Sequence, residues 1–332
     1  MTSVGVLGAG SWATVLGHHL AGHGHDVILW ARDAELARVI NEQHRNPAYL
    51  PGRSLARSLR AAAGPKEAVE GREVLVCAVP SQAMRGALQA IGDSADERVI
   101  LVGAAKGIET ETLLRMSEVA EAVLPGRPYV ALSGPSFALE LIDGQPTAVV
   151  AAARTAFAAA RVQDLFTAGP LRVYTSGDVV GTELAGAFKN VIAIAAGMCD
   201  GLSLGNNPRA ALITRGLAEI ARLGAALGAD PLTFSGLAGV GDLVLTTCGS
   251  LSRNRTLGVA LGRGETLTQY LGRNRVVVEG VPTARVALRM AKRAGVEMPI
   301  AAKVAECLFH GKSPRQAITD LMERPPKPEQ WT

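Results

Sequence analysis

Gly8-Ala9-Gly10-Ser11-Trp12-Ala13 comes directly after the apolar run Val4-Gly5-Val6-Leu7 and directly before a helical pattern. The order strand, glycine turn, helix gives the G-x-G-x-x-A stretch a meaning that the glycines alone would not carry. Gly8 allows the tight turn, Gly10 lets backbone approach a diphosphate, and small Ala13 lets helix and strand pack closely. The free N–H groups of the first helical turn, backed by the helix dipole, then face the anion. Outward from this point the rhythm repeats. Apolar runs at Val27 to Trp30, Val74 to Val79, Val99 to Val102, Val130 to Leu132 and Ala148 to Val150 alternate with helical patterns. β-Branched runs that end in Gly, Pro or Ser predict parallel strands joined by crossover helices.

The fold expected is therefore α/β: an N-terminal Rossmann doubly wound sheet binding a nicotinamide dinucleotide, followed by a C-terminal all-α domain. From about Val179 the punctuation becomes helical. Asn207-Pro208 reads as an N-cap with Pro at the first helical position, Gly228 closes that helix, and Ser313-Pro314 opens the last one. Gly169-Pro170 and Ser176-Gly177 break the pattern, which puts the boundary between Ala168 and Asp178. The predicted division is 1–177 for the dinucleotide-binding domain and 178–332 for a helical substrate-binding domain.

Composition narrows the function classes. The 332 residues are 48% apolar and 19% charged, a globular balance, so disorder is expected only in the tail Pro325 to Thr332. The net charge of +4 is spread along the chain without basic blocks, which disfavours a nucleic-acid surface and suits a small anionic substrate. Cys77, Cys199, Cys248 and Cys307 lie far apart without metal-ligand spacing, so no disulfide framework and no metal site is expected, and the four read as reduced core thiols. The N-terminus enters a strand at once, with no basic region and cleavage site before it, and the expected compartment is the cytoplasm. Val191 to Met198, bounded by Lys189 and Asp200, is too short an apolar stretch for a membrane span and reads as a core helix.

The stretch Trp30-Ala31-Arg32-Asp33 occupies the place where an acidic residue would bind the ribose of NAD, and Arg32 there predicts NADPH over NADH. Ligands on such sheets bind beyond the C-terminal strand ends. Three ends stand out: Val79-Pro80-Ser81, Ala104-Ala105-Lys106-Gly107 and Ser133-Gly134-Pro135-Ser136. Lys106 is placed where nicotinamide and substrate would meet. In Gly186-Ala187-Phe188-Lys189-Asn190-Val191, a lysine sits inside an apolar helix, which is costly unless it is paired or lines a cavity. Burial lowers a lysine's pKa, as proton transfer near neutrality requires. Gly239-Val240-Gly241-Asp242-Leu243 brings one carboxylate, followed by Thr246. Ser252-Arg253-Asn254-Arg255 reads as a capped helix start whose N–H groups, hydroxyl, guanidinium and amide suit a phosphate.

Taken together, these stretches resemble the bacterial type of NAD(P)-dependent glycerol-3-phosphate dehydrogenase. GAGSWA at Gly8, AAKGIE at Ala104, SGPSFALE at Ser133, GAFKNVIAIAAGMCDGL at Gly186, ALITRGLAEIARLGAALGAD at Ala211, GVGDLVLT at Gly239, SRNR at Ser252 and VVEG at Val277 carry the resemblance over nearly the whole chain. Ala13 departs from the family's usual glycine, a change that the motif tolerates. The resemblance implies Lys189 as the proton-transferring residue, with Lys106 and Asp242 also catalytic. It implies Lys106, Gly134, Ser136, Lys189, Asn190, Asp242, Thr246, Ser252, Arg253 and Asn254 around the substrate. Cofactor contacts would be Gly8, Gly10, Ser11, Trp12, Arg32, Tyr49, Lys106, Ala138, Arg253, Val277 and Glu279. A homodimer and a role in supplying glycerol phosphate for phospholipids are further implications.

Two alternatives remain at this point. A relative of 6-phosphogluconate dehydrogenase, 3-hydroxyisobutyrate dehydrogenase or ketopantoate reductase would share the glycine loop and a helical second domain, but should lack the SRNR and GVGDLVLT segments. A dinucleotide sensor would share the fold without needing Lys106, Lys189 and Asp242.

Overall fold

The structure, a computed structural model, describes residues 1–274 and 277–329. It divides into two compact units, one of Met1–Glu109 with Leu114–Val179, the other of Val180–Thr332 with the short segment Thr110–Leu113.

The first unit is built on an eight-stranded sheet. Its strands are β1 (Ser3–Leu7), β2 (Asp26–Trp30), β3 (Arg60–Ala62), β4 (Val74–Cys77), β5 (Ile100–Gly103), β6 (Tyr129–Ser133), β7 (Thr147–Ala153) and β8 (Leu171–Ser176). They lie in the order β3-β2-β1-β4-β5-β6-β7-β8. The chain runs from β1 toward one edge and then returns to the far side of β1, so the order reverses between β1 and β4, where doubly wound sheets take up ligands. Leu7 pairs with Cys77, Cys77 with Gly103 and Gly103 with Ala131. Strands β1, β4 and β5 thus end level, and the loops after them leave from one edge of the sheet.

Side chains alternate between two buried faces. Val4, Val6, Val27, Leu29, Val74, Val76 and Val102 pack on one, and Leu7, Leu75, Cys77 and Leu101 on the other. Burial on both sides explains why these runs are continuously apolar in sequence. The connecting helices are α1 (Ser11–Gly22), α2 (Ala34–Gln43), α3 (Pro65–Val69), α4 (Met84–Ile91), α5 (Met116–Val123), α6 (Ala138–Ile142) and α7 (Ala156–Phe166).

The sheet corrects the sequence reading in two places. β7, read as parallel, runs antiparallel to β6. The only helix between them is α6, of five residues, whereas a parallel return needs a full crossover element. β3 and β8 were not anticipated. β8 lies inside the stretch read as a domain boundary, at a sheet edge, with Leu171 and Val173 buried and Arg172 and Tyr174 exposed.

The second unit is helical: α8 (Val179–Gly201), α9 (Asn206–Ala226), α10 (Asp242–Cys248), α11 (Arg253–Gly262), α12 (Leu267–Arg273), α13 (Gly280–Ala294), α14 (Pro299–Phe309) and α15 (Pro314–Met322). α8 is long and apolar enough to cross a membrane, but 94% of its apolar window is buried within the protein. Ridges of this helix meet α11 through glycines. A Cβ on Gly197 would lie 2.0 Å from the Arg255 carbonyl, and one on Gly258 2.0 Å from the Ile194 carbonyl. The two backbones therefore touch, which fixes the start of α11 against the middle of α8.

Helix ends largely follow the expected chemistry. Ser313 caps α15 by accepting from the Gln316 N–H, with Pro314 in the first turn. α9 starts earlier than its Asn-Pro signal suggests, with Gly205 at the N-cap. The described part of the tail is held: Arg324 and Lys327 pair with Glu297, and Arg215 donates to the Glu329 carbonyl. Residues 330–332 of the tail lie outside the described residues. Cys77 and Cys199 are buried, Cys307 is half-buried, and Cys248, read as a core thiol, is exposed at the end of α10.

Candidate active site

The glycine loop sits where β1 ends. Gly8 has φ +114°, and a Cβ there would meet the Ala78 carbonyl at 3.1 Å, so both conformation and space require glycine. Gly10 is the N-cap of α1 and no side chain caps the helix. A Cβ at Gly10 would meet nothing within 4 Å. An uncapped helix start beside an open glycine fits the diphosphate of a nicotinamide dinucleotide. Ala13 is fully buried, so its methyl is accommodated in the packing. Ser11 and Trp12 lie half-buried in the first turn, and the Ser11 hydroxyl donates to the Tyr49 carbonyl at 3.0 Å. Arg32 is exposed just past β2. The neighbouring Asp33 carboxylate caps α2, accepting from the Glu35 N–H at 2.9 Å. Ala138 is the first residue of α6.

Beyond β5, the Lys106 ammonium donates to the Gly134 carbonyl at 2.8 Å and to the Ser136 hydroxyl at 3.0 Å. Ser136 Oγ in turn donates to the Gly134 carbonyl at 2.8 Å. Gly134 has φ +129°, and a Cβ on it would lie 3.0 Å from Val149 Cα. A glycine is needed for the turn that presents this carbonyl, and the sheet brings Lys106, Gly134 and Ser136 into one cluster.

In the helical unit, Lys189 Nζ donates to Asp242 Oδ1 at 2.5 Å and to Thr246 Oγ1 at 2.7 Å. Thr246 Oγ1 also donates to Asp242 Oδ1 at 3.4 Å. Lys189, Asp242 and Thr246 are 6%, 1% and 4% exposed. Asp242 and Thr246 stand one turn apart on α10 and so share a face. α10 is entered through a π-helical turn, Leu237–Gly241, in which a Cβ on Gly239 would lie 2.1 Å from the Phe234 carbonyl. An ion pair this deep loses hydration on both partners, and only close geometry offsets that loss. Here the two groups meet at 2.5 Å with side chains 7% and 1% exposed.

Next to this pair, Asn254 Nδ2 donates to Asn190 Oδ1 at 2.8 Å, and the Gly280 N–H donates to Asn254 Oδ1 at 2.9 Å. The Asn254 side chain, read as a phosphate-binding amide, thus links α8, α11 and the start of α13; its backbone N–H and second amide hydrogen are what it can offer a ligand. Ser252 caps α11, accepting from the Arg255 N–H at 3.2 Å, and Arg253 is exposed in the first turn of that helix. Val277 is exposed and Glu279 half-buried immediately before α13. Arg255 and Arg209 both donate to the Asp200 carboxylate, tying α11 and α9 to the end of α8.

Sequence reasoning missed the buried Asn46, which binds the glycine loop from below. Its only signal was Asn46-Pro47, a turn-forming pair. Among the described residues no group of three or more His, Cys, Asp or Glu side chains is placed to hold a metal ion.

Comparison with known proteins gives a consistent result. The family model described as NAD-dependent glycerol-3-phosphate dehydrogenase N-terminus matches residues 3–159, and the corresponding C-terminus model matches residues 178–319. A protein of Geobacter metallireducens named glycerol-3-phosphate dehydrogenase, NAD(P)+, is 54% identical over 98% of each chain. Its counterpart in Geobacter sulfurreducens is 53% identical over 99% of each. The crystal structure of a glycerol-3-phosphate dehydrogenase from Coxiella burnetii superposes with a TM-score of 0.93 at 35% identity, covering 97% of this chain and 99% of that one. A ketopantoate reductase from Ralstonia eutropha shares the fold at 17% identity, with a TM-score of 0.63.

Proposed function

The chain belongs to the NAD-dependent glycerol-3-phosphate dehydrogenase family, and from that premise we propose the part each residue takes in interconverting sn-glycerol 3-phosphate and dihydroxyacetone phosphate with NAD(P)(H). When bound, the reduced nicotinamide supplies the hydride that C2 of the ketone accepts. The protein must hold the ketone and supply one proton to its oxygen.

Lys189 is the proton donor. Negative charge develops on the ketone oxygen as C2 is reduced, and an ammonium kept charged by Asp242 stabilises that oxygen and then protonates it. In the oxidative direction the neutral amine takes the proton back. The buried contact of 2.5 Å between Lys189 and Asp242 carries this reading. Lys106, held by Gly134 and Ser136, orients the substrate. Arg253 and the N–H groups at the start of α11 hold the phosphoryl group, so that binding energy remote from the carbonyl fixes C2 in place.

NADPH is the preferred dinucleotide in this reading, supported by the exposed Arg32 and by the use of Asp33 as a helix cap. A homodimer, a cytoplasmic setting and supply of glycerol phosphate to phospholipid synthesis belong to the same reading and rest on family likeness. NADPH oxidation by the purified protein with dihydroxyacetone phosphate, measured beside ketopantoate, tests the assignment. Turnover of the former and not the latter is expected; the reverse would contradict it.

A further inference from the structure

We propose that Asn46 presets the glycine loop for the diphosphate, a positioning role that rests on reading that loop as the dinucleotide site. Asn46 lies in the long connection between α2 and β3 and is fully buried. Its Nδ2 donates to the Ala9 carbonyl at 2.9 Å and to Thr14 Oγ1 at 2.8 Å. Thr14 Oγ1 donates to the same Ala9 carbonyl at 3.2 Å. Asn46 Oδ1 accepts from the Tyr49 N–H at 3.2 Å, and the Tyr49 carbonyl accepts from Ser11 Oγ.

The consequence follows from peptide geometry. In a trans peptide the C=O and the N–H point in opposite directions. The Ala9 carbonyl and the Gly10 N–H belong to one peptide plane, so anchoring the carbonyl inward on Asn46 and Thr14 turns the Gly10 N–H outward. A Cβ on Gly10 would meet nothing within 4 Å, so the space beside this residue is open to a ligand. Without the anchor this peptide could rotate, and the loop would have to be ordered at the moment of binding. The rest of the connection is fastened along α1 as well: the Ala56 N–H donates to His18 Nδ1 at 2.9 Å, and Ser58 Oγ donates to the Ala21 carbonyl at 2.9 Å. Asn46 acts through Ala9 and needs no contact with the ligand.

The test uses the full chain, with NADPH as the probe, and measures Kd by fluorescence beside steady-state kinetics with dihydroxyacetone phosphate. Asn46→Ala should raise the Kd for NADPH about tenfold, the loss expected when a buried donor to the loop is removed. KM for dihydroxyacetone phosphate and kcat at saturating NADPH should stay within about threefold. Asn46→Asp keeps the volume and the acceptor for Tyr49 but loses the donors and adds a charge behind the loop, so it should bind NADPH more weakly than Asn46→Ala. A role in packing alone gives the opposite order, and that order would overturn the proposal. So would an Asn46→Ala protein with wild-type Kd. If Asn46→Ala does not fold, Thr14→Val decides: it lacks the relay hydroxyl and should raise Kd about threefold, and an unchanged Kd would overturn the proposal. Absence of NADPH binding by the wild-type chain would instead count against the dinucleotide reading itself.

Discussion

Lys106 and Lys189 carry the same ammonium group, yet they differ in depth and in the acceptors that their own units offer them. Lys106 leaves the end of a strand, is half-buried, and is held by a backbone carbonyl and a hydroxyl. Lys189 stands on an apolar helix, almost wholly buried, and is held by a carboxylate and a hydroxyl. Neutral acceptors orient an ammonium without compensating its charge, whereas a carboxylate in a dry site does both. In the function proposed above, Lys106 of the sheet unit positions the substrate and Lys189 of the helical unit handles the proton.

The largest expected effect bears on this contrast directly. Lys189→Ala should lower kcat about a thousandfold, the scale of losing a general acid, and should destabilise the fold by about 3 kcal/mol because Asp242 loses the buried ammonium at its carboxylate. Lys106→Ala should cost less stability than Lys189→Ala, since Lys106 is only half-buried and its bonds to Gly134 and Ser136 are to neutral acceptors, and should act mainly on KM. Kinetics combined with chemical denaturation checks both. Equal stability losses in the two variants would break the contrast.

Buried ionisable groups extend the comparison to pH. In the sheet unit, burial pushes His19 down to about 4, partly opposed by its bond to the Phe166 carbonyl and reinforced by His23, His18 and His25. Between pH 6.5 and about 4 the unfolded chain binds a proton that the folded one refuses, so this stability is complete above 6.5 and is lost on acidification, about 3 kcal/mol in all. In the helical unit, burial pushes Glu219 up to about 7, opposed by the N–H groups of Ile300 and Ala301 that it caps. Here the folded state binds the extra proton between about 4.5 and 7, so a similar amount is lost as pH rises through that window. Hydrogen exchange followed in each unit from pH 5 to 7.5 should show opposite slopes, flattened by His19→Gln in one and Glu219→Gln in the other. Parallel slopes would refute the assignment.

Two smaller effects sharpen the picture at the ligand ends. Arg253→Ala should raise KM for dihydroxyacetone phosphate about thirtyfold with little change in kcat, as expected for a charge-assisted contact remote from the carbonyl. A loss confined to kcat would remove Arg253 from phosphate binding. Arg32→Ala should cut kcat/KM for NADPH about tenfold and leave NADH nearly unaffected. Equal losses with both dinucleotides would show that Arg32 does not read the 2′-phosphate.

The parts legible in the sequence are those written in local pattern. β1, β2, β4, β5 and β6 were visible because both faces of each are buried, which forces continuous apolar runs. β3 escaped because Arg60–Ala62 is three residues long at an edge. β8 escaped because its alternating Leu171, Arg172, Val173 and Tyr174 fall between two chain breakers. Lys189 stood out because a charge in an apolar helix demands a partner, but that Asp242 and Thr246 are partners of it is visible only in the structure. Asn46 could not be seen, since its main partner, the Ala9 carbonyl, is a backbone atom with no identity in sequence. The Asn254 amide was assigned outward, and its inward bonds to Asn190 and Gly280 depend on how closely α8 and α11 approach.

The claim that Lys189 and Asp242 act as one proton-holding unit is most directly tested by a double-mutant cycle on kcat for NADPH-dependent reduction of dihydroxyacetone phosphate. If the pair acts as a unit, Lys189→Ala combined with Asp242→Asn should be no slower than Lys189→Ala alone, because the carboxylate has no function once the amine is gone. Losses that multiply in the double variant would contradict the account.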